Sequence, residues 1–490
     1  MDDRLMYRRE LFIGGAWAAS ASGRQVGVIS PSTEEVVGEV PLATTADMDR
    51  AVAAARAAFD DGPWPRMTPA ERSAVLARVG DSLRKRESEI AGITVDEMGI
   101  AISQAPAAQT AMTAALFDYY ADLARTYEFE RTVIDGNRGG MVTSEPVGVV
   151  GVIVPWNAPV TLSCWKTAPA LAAGCTVVIK PPPEAPLSNF VLADAIAEAG
   201  VPVGVVSVLP AGREVGEHLV THPGTDKIAF TGSTAAGKRI MSLCGEQVKR
   251  VSLELGGKSA VIVLDDADLA DVIPRLVHGA MHLSGQVCGA HTRVLVPRSR
   301  YAAAVEAAAA TAAHVPVGDP HDPAILVGPL VAERQRERVE GYIKLAVDAG
   351  ARVAAGGGRP DGLPRGWYVS PTILADVDNS MRVAREEIFG PVLCMIPFDD
   401  EDDAARIAND SPYGLAGGVW SGDPARALRV ARRLRTGTIA VNGAYPPFPL
   451  VPFGGFKESG LGRELGPEGL ASFLEPRSIG LPPALHPATG

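Results

Sequence analysis

The segment VGVVGVIVP, residues 147–155, constrains the fold of this chain more than any other feature. Its valines and isoleucines are apolar on both faces, and Pro146 and Pro155 bound it, which is typical of a strand buried in a parallel sheet. A helical pattern over residues 165–173 and a second apolar strand over residues 176–180 follow. Two parallel strands need a crossover connection, and this helix supplies one.

The same alternation of helices and strands continues along most of the chain. The pattern predicts, in order, helices at 47–59 and 69–87, a helix at 187–200, strands at 205–209 and 227–231, a strand at 260–264, a helix at 269–283, a strand at 293–296 and a helix at 334–348. Short connections containing Gly and Pro favour an α/β protein with a doubly wound parallel sheet. The restart of the pattern after Gly256 predicts a second α/β unit.

Two segments do not fit this alternation. Residues 126–144 mix charges with alternating apolar residues and predict an exposed hairpin. Residues 352–366 are rich in glycine and predict a turn region. A chain of 490 residues exceeds one ordinary core, so we expect two or three domains.

Charge and cysteine usage argue against several classes of protein. A formal net charge of -11 disfavours a nucleic-acid partner and an anionic membrane partner. Residues 1–10 are charged and contain no apolar signal-peptide core, and residues 147–155 are too short to span a bilayer. The five cysteines are scattered, which makes a poor disulfide framework and gives no metal-ligand spacing. We therefore expect a soluble cytoplasmic protein without a metal site.

Cys288, in the segment LSGQVCGAHTR, is the strongest candidate for chemistry. A nucleophilic cysteine reacts as a thiolate, which backbone N–H groups or a helix N-terminus stabilise. Gly285 and Gly289 flank Cys288 and leave the backbone amides unobstructed. Taken alone, the segment also fits a buried structural cysteine.

Two further motifs place polar groups beside predicted strands. Glu254, in SLELGGKSA, stands at a strand end, where it could act as a general base. Its alternative is a capping or surface carboxylate. Asn157, in PWNAP, directly follows the buried strand, where its amide could donate a hydrogen bond to an oxyanion. Its alternative is a turn-forming asparagine between two prolines.

Two segments suggest a nucleotide site. The loop at residues 232–237, in FTGSTAAGKRI, joins a strand to a helix, where glycines let the backbone approach a pyrophosphate. Its spacing is weak by itself, being neither the G-x-G-x-x-G fingerprint nor a Walker loop. In EEIFGPV, Glu387 could bind ribose hydroxyls while Phe389 packs against a nicotinamide. The alternative for this pair is a helix end and a core aromatic.

In this order and at these separations, the motifs resemble those of the aldehyde dehydrogenase superfamily, specifically the NAD(P)-dependent, non-acylating enzymes of the cysteine-thioester type. The resemblance extends from residues 13–15 to PFGGFKESGLGRELG at residues 452–466. It implies a Rossmann-like doubly wound cofactor domain, a second α/β catalytic domain and a small β oligomerisation arm. The implied boundaries are 1–125 and 145–256 for the cofactor domain, 126–144 and 474–490 for the arm with the C-terminal strand and tail, 257–440 for the catalytic domain, and 441–473 for the substrate-tunnel loop and the return to the cofactor domain.

The resemblance also implies a role for each catalytic candidate. Cys288 would attack the aldehyde to form a thiohemiacetal, and Asn157 with the Cys288 backbone N–H would form the oxyanion hole. Loss of hydride would leave a thioester, which water activated by Glu254 would hydrolyse to the carboxylic acid. An oxyanion-hole donor is worth ~3 kcal/mol in comparable sites.

The implied cofactor is NAD or NADP. Gly232 and Ser233 match the pyrophosphate turn, Trp156 and Lys180 the ribose and adenine side, and Glu387 and Phe389 the nicotinamide ribose. The other positions that the resemblance assigns to the cofactor are Ile153, Pro155, Pro183, Glu184, Gly212, Gly216, Phe230 and Leu255.

One cofactor position departs from the family pattern. Family members that prefer NAD often carry an acid three residues after the lysine found here at Lys180. That position is Pro183, and the acid comes one residue later, at Glu184. The departure removes a charge that would repel a 2′-phosphate, which leaves the use of NADP open. We nevertheless expect NAD to be the preferred coenzyme.

A second departure concerns the substrate. Many family members have an aromatic residue after the oxyanion asparagine, and here that residue is Ala158. The tunnel residues that the resemblance implies are Ala158, Leu162, Trp165, Val287, Tyr445, Phe448 and Phe453. A wide, apolar tunnel predicts a bulky hydrophobic aldehyde, whether aromatic, terpenoid or medium- to long-chain aliphatic, rather than a betaine aldehyde or a semialdehyde.

The resemblance makes residues 126–144 the arm that extends a partner's sheet, and residues 475–481 the matching edge strand. Pro476 lacks an N–H, so we expect this pairing to begin only after it. A homodimer or a homotetramer is implied.

Three other functions fit parts of the sequence. A CoA-acylating aldehyde dehydrogenase would pass the acyl group to CoA, but that branch tends to lack the glutamate found at Glu254. Intact Cys288, Glu254 and Asn157 argue against a catalytically silent binding or structural member. A Cys-His hydrolase would need a dyad, whereas His282 and His291 better fit helix-face and turn positions.

Overall fold

The structure is a computed structural model that describes residues 8–486 of the chain. Residues 1–7 and 487–490, which belong to the predicted cofactor domain and C-terminal tail, lie outside the described residues. The strands, in chain order, are β1 (Glu10–Ile13), β2 (Ala16–Ala19), β3 (Gln25–Ile29), β4 (Val36–Pro41), β5 (Glu130–Asp135), β6 (Arg138–Pro146), β7 (Val149–Ile153), β8 (Thr176–Lys180), β9 (Val206–Val208), β10 (Lys227–Thr231), β11 (Arg250–Glu254), β12 (Ser259–Val263), β13 (His291–Pro297), β14 (Arg352–Ala355), β15 (Thr372–Ala375), β16 (Val392–Phe398), β17 (Tyr413–Gly414), β18 (Ala416–Trp420), β19 (Thr438–Val441), β20 (Phe456–Lys457), β21 (Gly460–Leu461) and β22 (Leu474–Leu481).

The α-helices, in chain order, are α1 (Thr45–Asp60), α2 (Pro69–Lys85), α3 (Glu87–Met98), α4 (Ala111–Thr126), α5 (Pro159–Ala173), α6 (Leu187–Glu198), α7 (Arg213–Thr221), α8 (Thr234–Glu246), α9 (Leu269–Met281), α10 (Tyr301–Ala313), α11 (Glu333–Asp348), α12 (Arg382–Arg385), α13 (Glu401–Asn409), α14 (Pro424–Ala431) and α15 (Gly466–Ala471). None of the helices within residues 8–486 is long and apolar enough to cross a membrane.

The apolar run around residue 150 forms β7, which is buried along its whole length in the larger sheet. The strand order of this sheet is β2-β1-β9-β8-β7-β10-β11-β21, and β7 to β11 run parallel. The chain moves outward from β7 to β9 and then returns to the other side of β7 with β10. Ligands of doubly wound sheets bind at the carboxyl ends of the strands where the order reverses, here β7 and β10. The predicted Rossmann-like fold is confirmed.

A second sheet follows Gly256, as the restart of the pattern predicted. Its order is β14-β15-β16-β13-β12-β18-β19, and every pairing is parallel except that of β14 with β15. The short segment between β11 and β12 joins the two sheets, which places the end of β11 between the two α/β units.

The predicted hairpin at residues 126–144 is present as β5 and β6, which form a small antiparallel sheet with β22 in the order β22-β6-β5. The expectation that β22 pairs only after Pro476 is wrong, because pairing begins at Leu474 opposite Pro146. β22 lies at the edge of this sheet, where alternate N–H groups point away from the neighbouring strand. A proline at such a position costs no ladder hydrogen bond.

Several predicted boundaries also change. Helix α5 begins at Pro159 rather than at residue 165, since a proline is favourable in the first helical turn. Helix α9 ends at Met281 because Leu283 and Ser284 have left-handed backbones that no helix tolerates. Residues 352–355, predicted as turn, form β14. β13 begins at His291 and not at residue 293, so His291 is a buried strand residue and not a turn residue.

Candidate active site

The carboxyl ends of three neighbouring strands bring the predicted site residues to one edge of the larger sheet. Asn157 follows β7, Gly232 and Ser233 follow β10, and Glu254 is the last residue of β11. The backbone N–H of Gly232 donates to the carbonyl of Glu254 at 3.0 Å, which ties the two strand ends together. This edge is the crevice at which the strand order reverses.

The loop that carries Cys288 has a strained backbone. Leu283, Ser284 and Gly285 have φ angles of 50°, 56° and 74°, all in the left-handed region. An L-residue in that region costs ~1–2 kcal/mol, so two non-glycine residues in succession must be held by their surroundings. At Gly285 a Cβ would lie 2.1 Å from the carbonyl oxygen of Gly390, so only glycine fits there.

Four hydrogen bonds from distant parts of the chain hold this loop. They run from Leu283 N–H to Gln104 Oε1 at 2.8 Å, from Ser284 Oγ to the Gly328 carbonyl at 2.9 Å, from Val331 N–H to Gln286 Oε1 at 3.1 Å, and from Asn157 Nδ2 to the Gln286 carbonyl at 2.9 Å. Sequence reasoning missed Gln104, Ser284 and Gln286, because no local pattern marks a side chain whose partner is far away in the chain. Asn157 thus anchors the Cys288 loop with one hydrogen of its side-chain amide.

The Cys288 thiol lies in an environment that disfavours its charged form. Burial, and next the carboxylates of Glu387 and Glu254, raise the pKa of Cys288 to about 12. The backbone N–H groups of Gly289 and Cys288 lower the pKa, but they do not outweigh burial. Local amides alone therefore do not produce the thiolate that the sequence suggested, and a base must remove the thiol proton.

Glu254 is a buried carboxylate without a hydrogen-bond partner. Its side chain is almost fully enclosed, and neither Oε1 nor Oε2 has a partner among the described residues. A Cβ at Gly454 would lie 2.7 Å from Oε1, so this glycine makes room for the carboxylate. Burial, and next the charge of Glu464, raise the pKa of Glu254 well above its usual range. A carboxyl group with a raised pKa can accept a proton near neutral pH, as a general base must.

An ion pair that the sequence did not reveal adjoins Glu254. Lys166 is fully buried, lies 2.6 Å from the carboxylate of Glu464, and donates to Thr231 Oγ at 2.5 Å. The positive charge of Lys166 lowers the pKa of Glu254, while the negative charge of Glu464 raises it. Because the two charges oppose each other at Glu254, burial sets the direction of the net shift.

The end of β10 has the features of a pyrophosphate site. Ser233 is the N-cap of α8, and its Oγ accepts from the N–H of Ala236 at 3.3 Å. A Cβ at Gly232 would lie 2.5 Å from the ring of Phe230, whereas nothing lies within 4 Å of a Cβ at Gly212. Free N–H groups at the start of α8 and a backbone without side chains suit an anionic phosphate.

Of the lysine and the carboxylate that the sequence assigned to the cofactor, Lys180 is buried and Glu387 is half-buried. Lys180 donates to the Ala211 carbonyl at 2.8 Å, and burial lowers its pKa to about 8. The side chain of Lys180 packs against Gly216, where a Cβ would lie 3.4 Å from its Cδ. Glu387 accepts from the N–H of Gly257 at 3.0 Å, and burial raises its pKa to about 7.

Phe389 stands near Glu387 in a left-handed backbone with φ of 65°. Its carbonyl accepts from Gln335 Nε2 at 2.7 Å, and its ring meets the ring of Trp156 edge to face at 5.3 Å. The structure thus brings Trp156 to Phe389. Three of the remaining cofactor candidates belong to one apolar cluster, namely Ile153, Phe230 and Leu255. Pro155 and Pro183 are half-buried.

Glu184 is partly neutralised, because it forms an ion pair with Arg334. Its charge also raises the pKa of Lys180, against the larger effect of burial. An acid and a base therefore stand together next to the lysine that the sequence assigned to the adenosine. Arg334 was not among the sequence candidates, because its partner lies 150 residues away.

The aromatic residues of the predicted tunnel form a connected wall. Trp165 meets Phe453 at 5.2 Å and Phe453 meets Phe448 at 5.7 Å, both edge to face. Ala158 packs against the same apolar cluster, and Leu162 belongs to it. Of the two other candidates, Val287 packs against a different apolar cluster, as Trp156 does, and the ring of Tyr445 stacks on that of His291.

Within residues 8–486, one group of side chains has the spacing of metal ligands, although the sequence predicted no metal. The ligand atoms of Asp49, His218 and His222 lie within 4.8 Å of one another. The N–H of Gly224 donates to Nδ1 of His222 at 3.0 Å, which leaves the ring proton on Nε2, the atom that faces Asp49. A proton on Nε2 blocks the lone pair that a metal would need, so we assign the group to hydrogen bonding between α1 and the end of α7.

Comparison with known proteins agrees with this geometry. A model of the Aldehyde dehydrogenase family matches residues 17–479. The chain is 46% identical over 472 residues to the geranial dehydrogenase of Castellaniella defragrans, which covers 96% of this chain and 98% of that protein. It is also similar to the crystal structure of a Mycobacterium tuberculosis aldehyde dehydrogenase in complex with NAD+, with a TM-score of 0.96, 46% identity, and coverage of 98% of this chain and 99% of that one.

A second solved structure adds a bound aldehyde. It is a mutant of aldehyde dehydrogenase C from Pseudomonas syringae in complex with NAD+ and octanal. The TM-score is 0.92 and the identity 42%, with 96% of each chain covered.

Proposed function

This chain belongs to the aldehyde dehydrogenase family, and we propose that it oxidises bulky hydrophobic aldehydes to free carboxylic acids with NAD+, the activity of class EC 1.2.1.3. The observation that carries the proposal is the buried, unpaired carboxylate of Glu254 whose charge acts on the Cys288 thiol. The ionised form of Glu254 accepts the proton of Cys288 Sγ, and this transfer creates the thiolate nucleophile.

In the proposed reaction, the Cys288 thiolate attacks the aldehyde carbon. The oxygen of the resulting thiohemiacetal accepts hydrogen bonds from the free Nδ2 hydrogen of Asn157 and from the Cys288 N–H, worth ~3 kcal/mol each. Gly232, Ser233 and Glu387 would hold a dinucleotide, which would accept the hydride that the thiohemiacetal carbon loses as it becomes a thioester.

The second half of the proposed reaction releases the acid. After Glu254 has released the thiol proton to solvent, it takes a proton from water, the hydroxide adds to the thioester carbon, and the C–S bond breaks to return the Cys288 thiolate. The carboxylate product then leaves.

Three measurements test this mechanism. Product analysis separates hydrolysis from the CoA-acylating alternative, because only hydrolysis gives free acid without CoA. The absorbance of NADH separates the enzyme from a catalytically silent member, and Cys288→Ser should abolish it. An inactive wild type with every aldehyde and both coenzymes would contradict the proposal.

The substrate class rests on the wall formed by Trp165, Phe453 and Phe448, and on the small side chain of Ala158. The similar proteins named for geranial and crystallised with octanal support an apolar, extended aldehyde. We expect octanal, benzaldehyde and perillaldehyde to have higher kcat/KM values than acetaldehyde. A clear preference for acetaldehyde would refute this assignment.

We further propose NAD+ as the preferred coenzyme, because Glu184 places a carboxylate beside Lys180, and the comparison structures contain NAD+. Rates with NAD+ and NADP+ over the same substrate panel test this preference. The five cysteines are all free thiols, and we propose on this basis that the enzyme acts in a reducing compartment such as the cytoplasm.

We also propose that the chain assembles as a homodimer or homotetramer through β5. All six residues of this edge strand are exposed, including Val133 and Ile134. An exposed apolar edge strand is a template for pairing with another chain. Light scattering coupled to size-exclusion chromatography measures the state, and a monomeric wild type would refute the proposal.

A further inference from the structure

Gln104 is a buried polar residue that takes no part in the steps of the proposed reaction. It lies in the connection between α3 and α4, and only 5% of its surface is exposed. Its backbone is fixed on both sides, since its N–H donates to the Ala101 carbonyl at 2.8 Å and its carbonyl accepts from the Ala108 N–H at 3.0 Å. The side chain therefore extends into the protein from a rigid backbone.

The two ends of the Gln104 amide bind partners of opposite kind. Its Oε1 accepts from the N–H of Leu283 at 2.8 Å, and its Nε2 donates to the carbonyl of Leu326 at 2.8 Å. Because one partner needs an acceptor and the other a donor, they fix which end of the amide faces which. A neutral amide meets both needs, whereas an ionised carboxylate offers only acceptors.

The donor end of Gln104 belongs to a contact between the two α/β units. Residues 320–329 of the second unit lie against residues 99–104 of the first, and backbone hydrogen bonds and close glycine contacts join the two ranges. Within this contact, Ser103 Oγ donates to the Ile325 carbonyl at 2.9 Å, beside the bond made by Gln104. The partner of the Gln104 donor is thus itself held in place.

The acceptor end of Gln104 holds the left-handed backbone of Leu283, which has φ of 50° and ψ of 35°. Gln104 binds the N–H on one side of these two angles. On the other side, the Leu283 carbonyl accepts from the N–H of Gln286 at 3.0 Å and from its Nε2 at 3.2 Å. The strain of such a backbone is of the same order as one buried hydrogen bond, so loss of the bond to Gln104 would let Leu283 relax.

A relaxed Leu283 would disturb Cys288 through the residues that precede the thiol. The carbonyl of Gln286, two residues before Cys288, accepts from Asn157 Nδ2 at 2.9 Å. The side chain of Leu283 belongs to an apolar cluster with residues of α3 and of the connection after it, and Val287 packs against the same cluster. Movement of Leu283 therefore acts on both residues directly before Cys288.

We propose that Gln104 is a positioning residue for Cys288, and that it holds the left-handed turn before the thiol in the conformation that the reaction uses. This inference rests on the proposed function and adds to it a residue that acts through the Leu283 N–H. Both ends of the amide are required, because the bond to Leu326 keeps Oε1 turned toward Leu283. Loss of Gln104 should slow attack by the thiol and leave coenzyme binding unchanged.

Gln104→Met removes both polar ends and keeps an unbranched side chain of similar length. Because a displacement of about 1 Å near a reacting atom costs ~10²-fold in rate, kcat with octanal should fall by about 10- to 100-fold, while KM for NAD+ changes by no more than about 3-fold. Ser103→Ala is the matched control, since it removes a hydrogen bond to the same segment and leaves the Leu283 N–H paired. It should keep kcat within about 2-fold of the wild type.

Gln104→Glu tests the hydrogen bonds themselves. An ionised carboxylate accepts from Leu283 but repels the Leu326 carbonyl, whereas a protonated carboxyl donates to Leu326 and accepts from Leu283 as the amide does. Burial raises the pKa of a carboxyl group, so kcat of this variant relative to the wild type at the same pH should rise at least about 3-fold as the pH falls from about 8.5 to about 5.5. The ratio cancels the titration of nearby groups that both proteins contain, namely Asp96, Glu97, His282 and His321.

Hydrogen exchange followed by mass spectrometry measures the anchoring of Leu283 without any turnover. The amide hydrogens of residues 283–288 should exchange faster in Gln104→Met than in the wild type, because this variant frees the Leu283 N–H. Ser103→Ala should leave their exchange unchanged.

Every result either supports or overturns the role of Gln104. Wild-type kcat and exchange in Gln104→Met, an equal loss of kcat in Ser103→Ala, or a Gln104→Glu ratio that stays flat or falls at low pH would overturn it. If Gln104→Met does not fold, Gln104→Glu carries the test, since at low pH it restores both hydrogen bonds. A wild type that oxidises no aldehyde with either coenzyme would instead contradict the proposed function, and the exchange rates would still decide whether Gln104 anchors Leu283.

Discussion

Gly285 and Gly289 flank Cys288 and look equivalent in sequence, but the structure predicts opposite effects of replacing them with alanine. At Gly285, alanine must adopt φ of 74°, which costs ~1–2 kcal/mol for an L-residue. Its Cβ would also lie 2.1 Å from the Gly390 carbonyl oxygen, about 1.3 Å short of ordinary contact. The loop must therefore move by about 1 Å, and a displacement of that size near a reacting atom costs ~10²-fold in rate.

Gly289 is the matched control. Its φ is not in the left-handed region, and a Cβ there would meet only the Cβ of Ala416, at an ordinary 3.7 Å. Alanine also keeps the backbone N–H that lowers the pKa of Cys288. We therefore expect Gly289→Ala to change kcat/KM by no more than about 3-fold, since one ordinary contact is worth well under 1 kcal/mol.

The assay measures kcat/KM with octanal and the free energy of unfolding in urea for both variants. Gly285→Ala should lose about 10²-fold in kcat/KM and at least about 1 kcal/mol of stability. Equal effects in the two variants would refute the reasoning, because they would show that both glycines serve amide access and not the left-handed turn. An active, stable Gly285→Ala would show that the loop relaxes without moving the thiol.

Three further perturbations test other parts of the site and the fold. Because the pKa of Glu254 is raised, its basic form is gained only as pH rises through that value, so wild-type turnover should increase with pH there. Glu254→Gln should remove this limb and, because Glu254 acts as the base in both halves of the reaction, slow both the first formation of NADH and the hydrolysis of the thioester in stopped-flow absorbance; an unchanged pH profile would contradict the role of Glu254. Glu184→Gln removes a negative charge and frees Arg334 to attract the 2′-phosphate of NADP+, so the ratio of kcat/KM with NADP+ to kcat/KM with NAD+ should rise by about 10-fold. An unchanged ratio would exclude Glu184 as a determinant of coenzyme preference. Val248 is 92% exposed and has a left-handed backbone with φ of 54°. Because asparagine tolerates this backbone better than valine, Val248→Asn should raise the free energy of unfolding in urea by about 1 kcal/mol, and no gain would mean that the turn relaxes.

The strands were the most predictable part of the fold. The strands at Thr176–Lys180 and Lys227–Thr231 agree with the sequence residue by residue, because short apolar runs between turn-forming residues are typical of strands buried on both faces. Helix ends were less predictable. Pro159 suggests a break but occupies the first turn of α5, and the end of α9 depends on the left-handed Leu283, which its own sequence does not mark.

The candidate site was predictable only where local motifs carried it. Asn157, Glu254 and Cys288 stand in segments whose order resembles a known family, and each lies close to the crevice or to the loop facing it. The groups that tune them were not predictable from the sequence, because tertiary structure alone brings their partners together. Lys166 and Glu464 are the clearest case, since their charges meet at Glu254 across nearly 300 residues of chain.

Several energetically unfavourable features lie in the loop before Cys288 and among the buried groups near it. Leu283, Ser284 and Phe389 hold left-handed backbones, and Glu254 and His291 bury polar atoms without partners. Each such feature costs on the order of 1–3 kcal/mol, and a chain selected for stability alone would remove them with single substitutions. Among the unpaired groups, the carboxylate of Glu254 acts on the Cys288 thiol through its charge. A buried carboxylate without a partner is completed by groups that bring donors, and in the proposed reaction these are the thiol proton of Cys288 and then a water molecule.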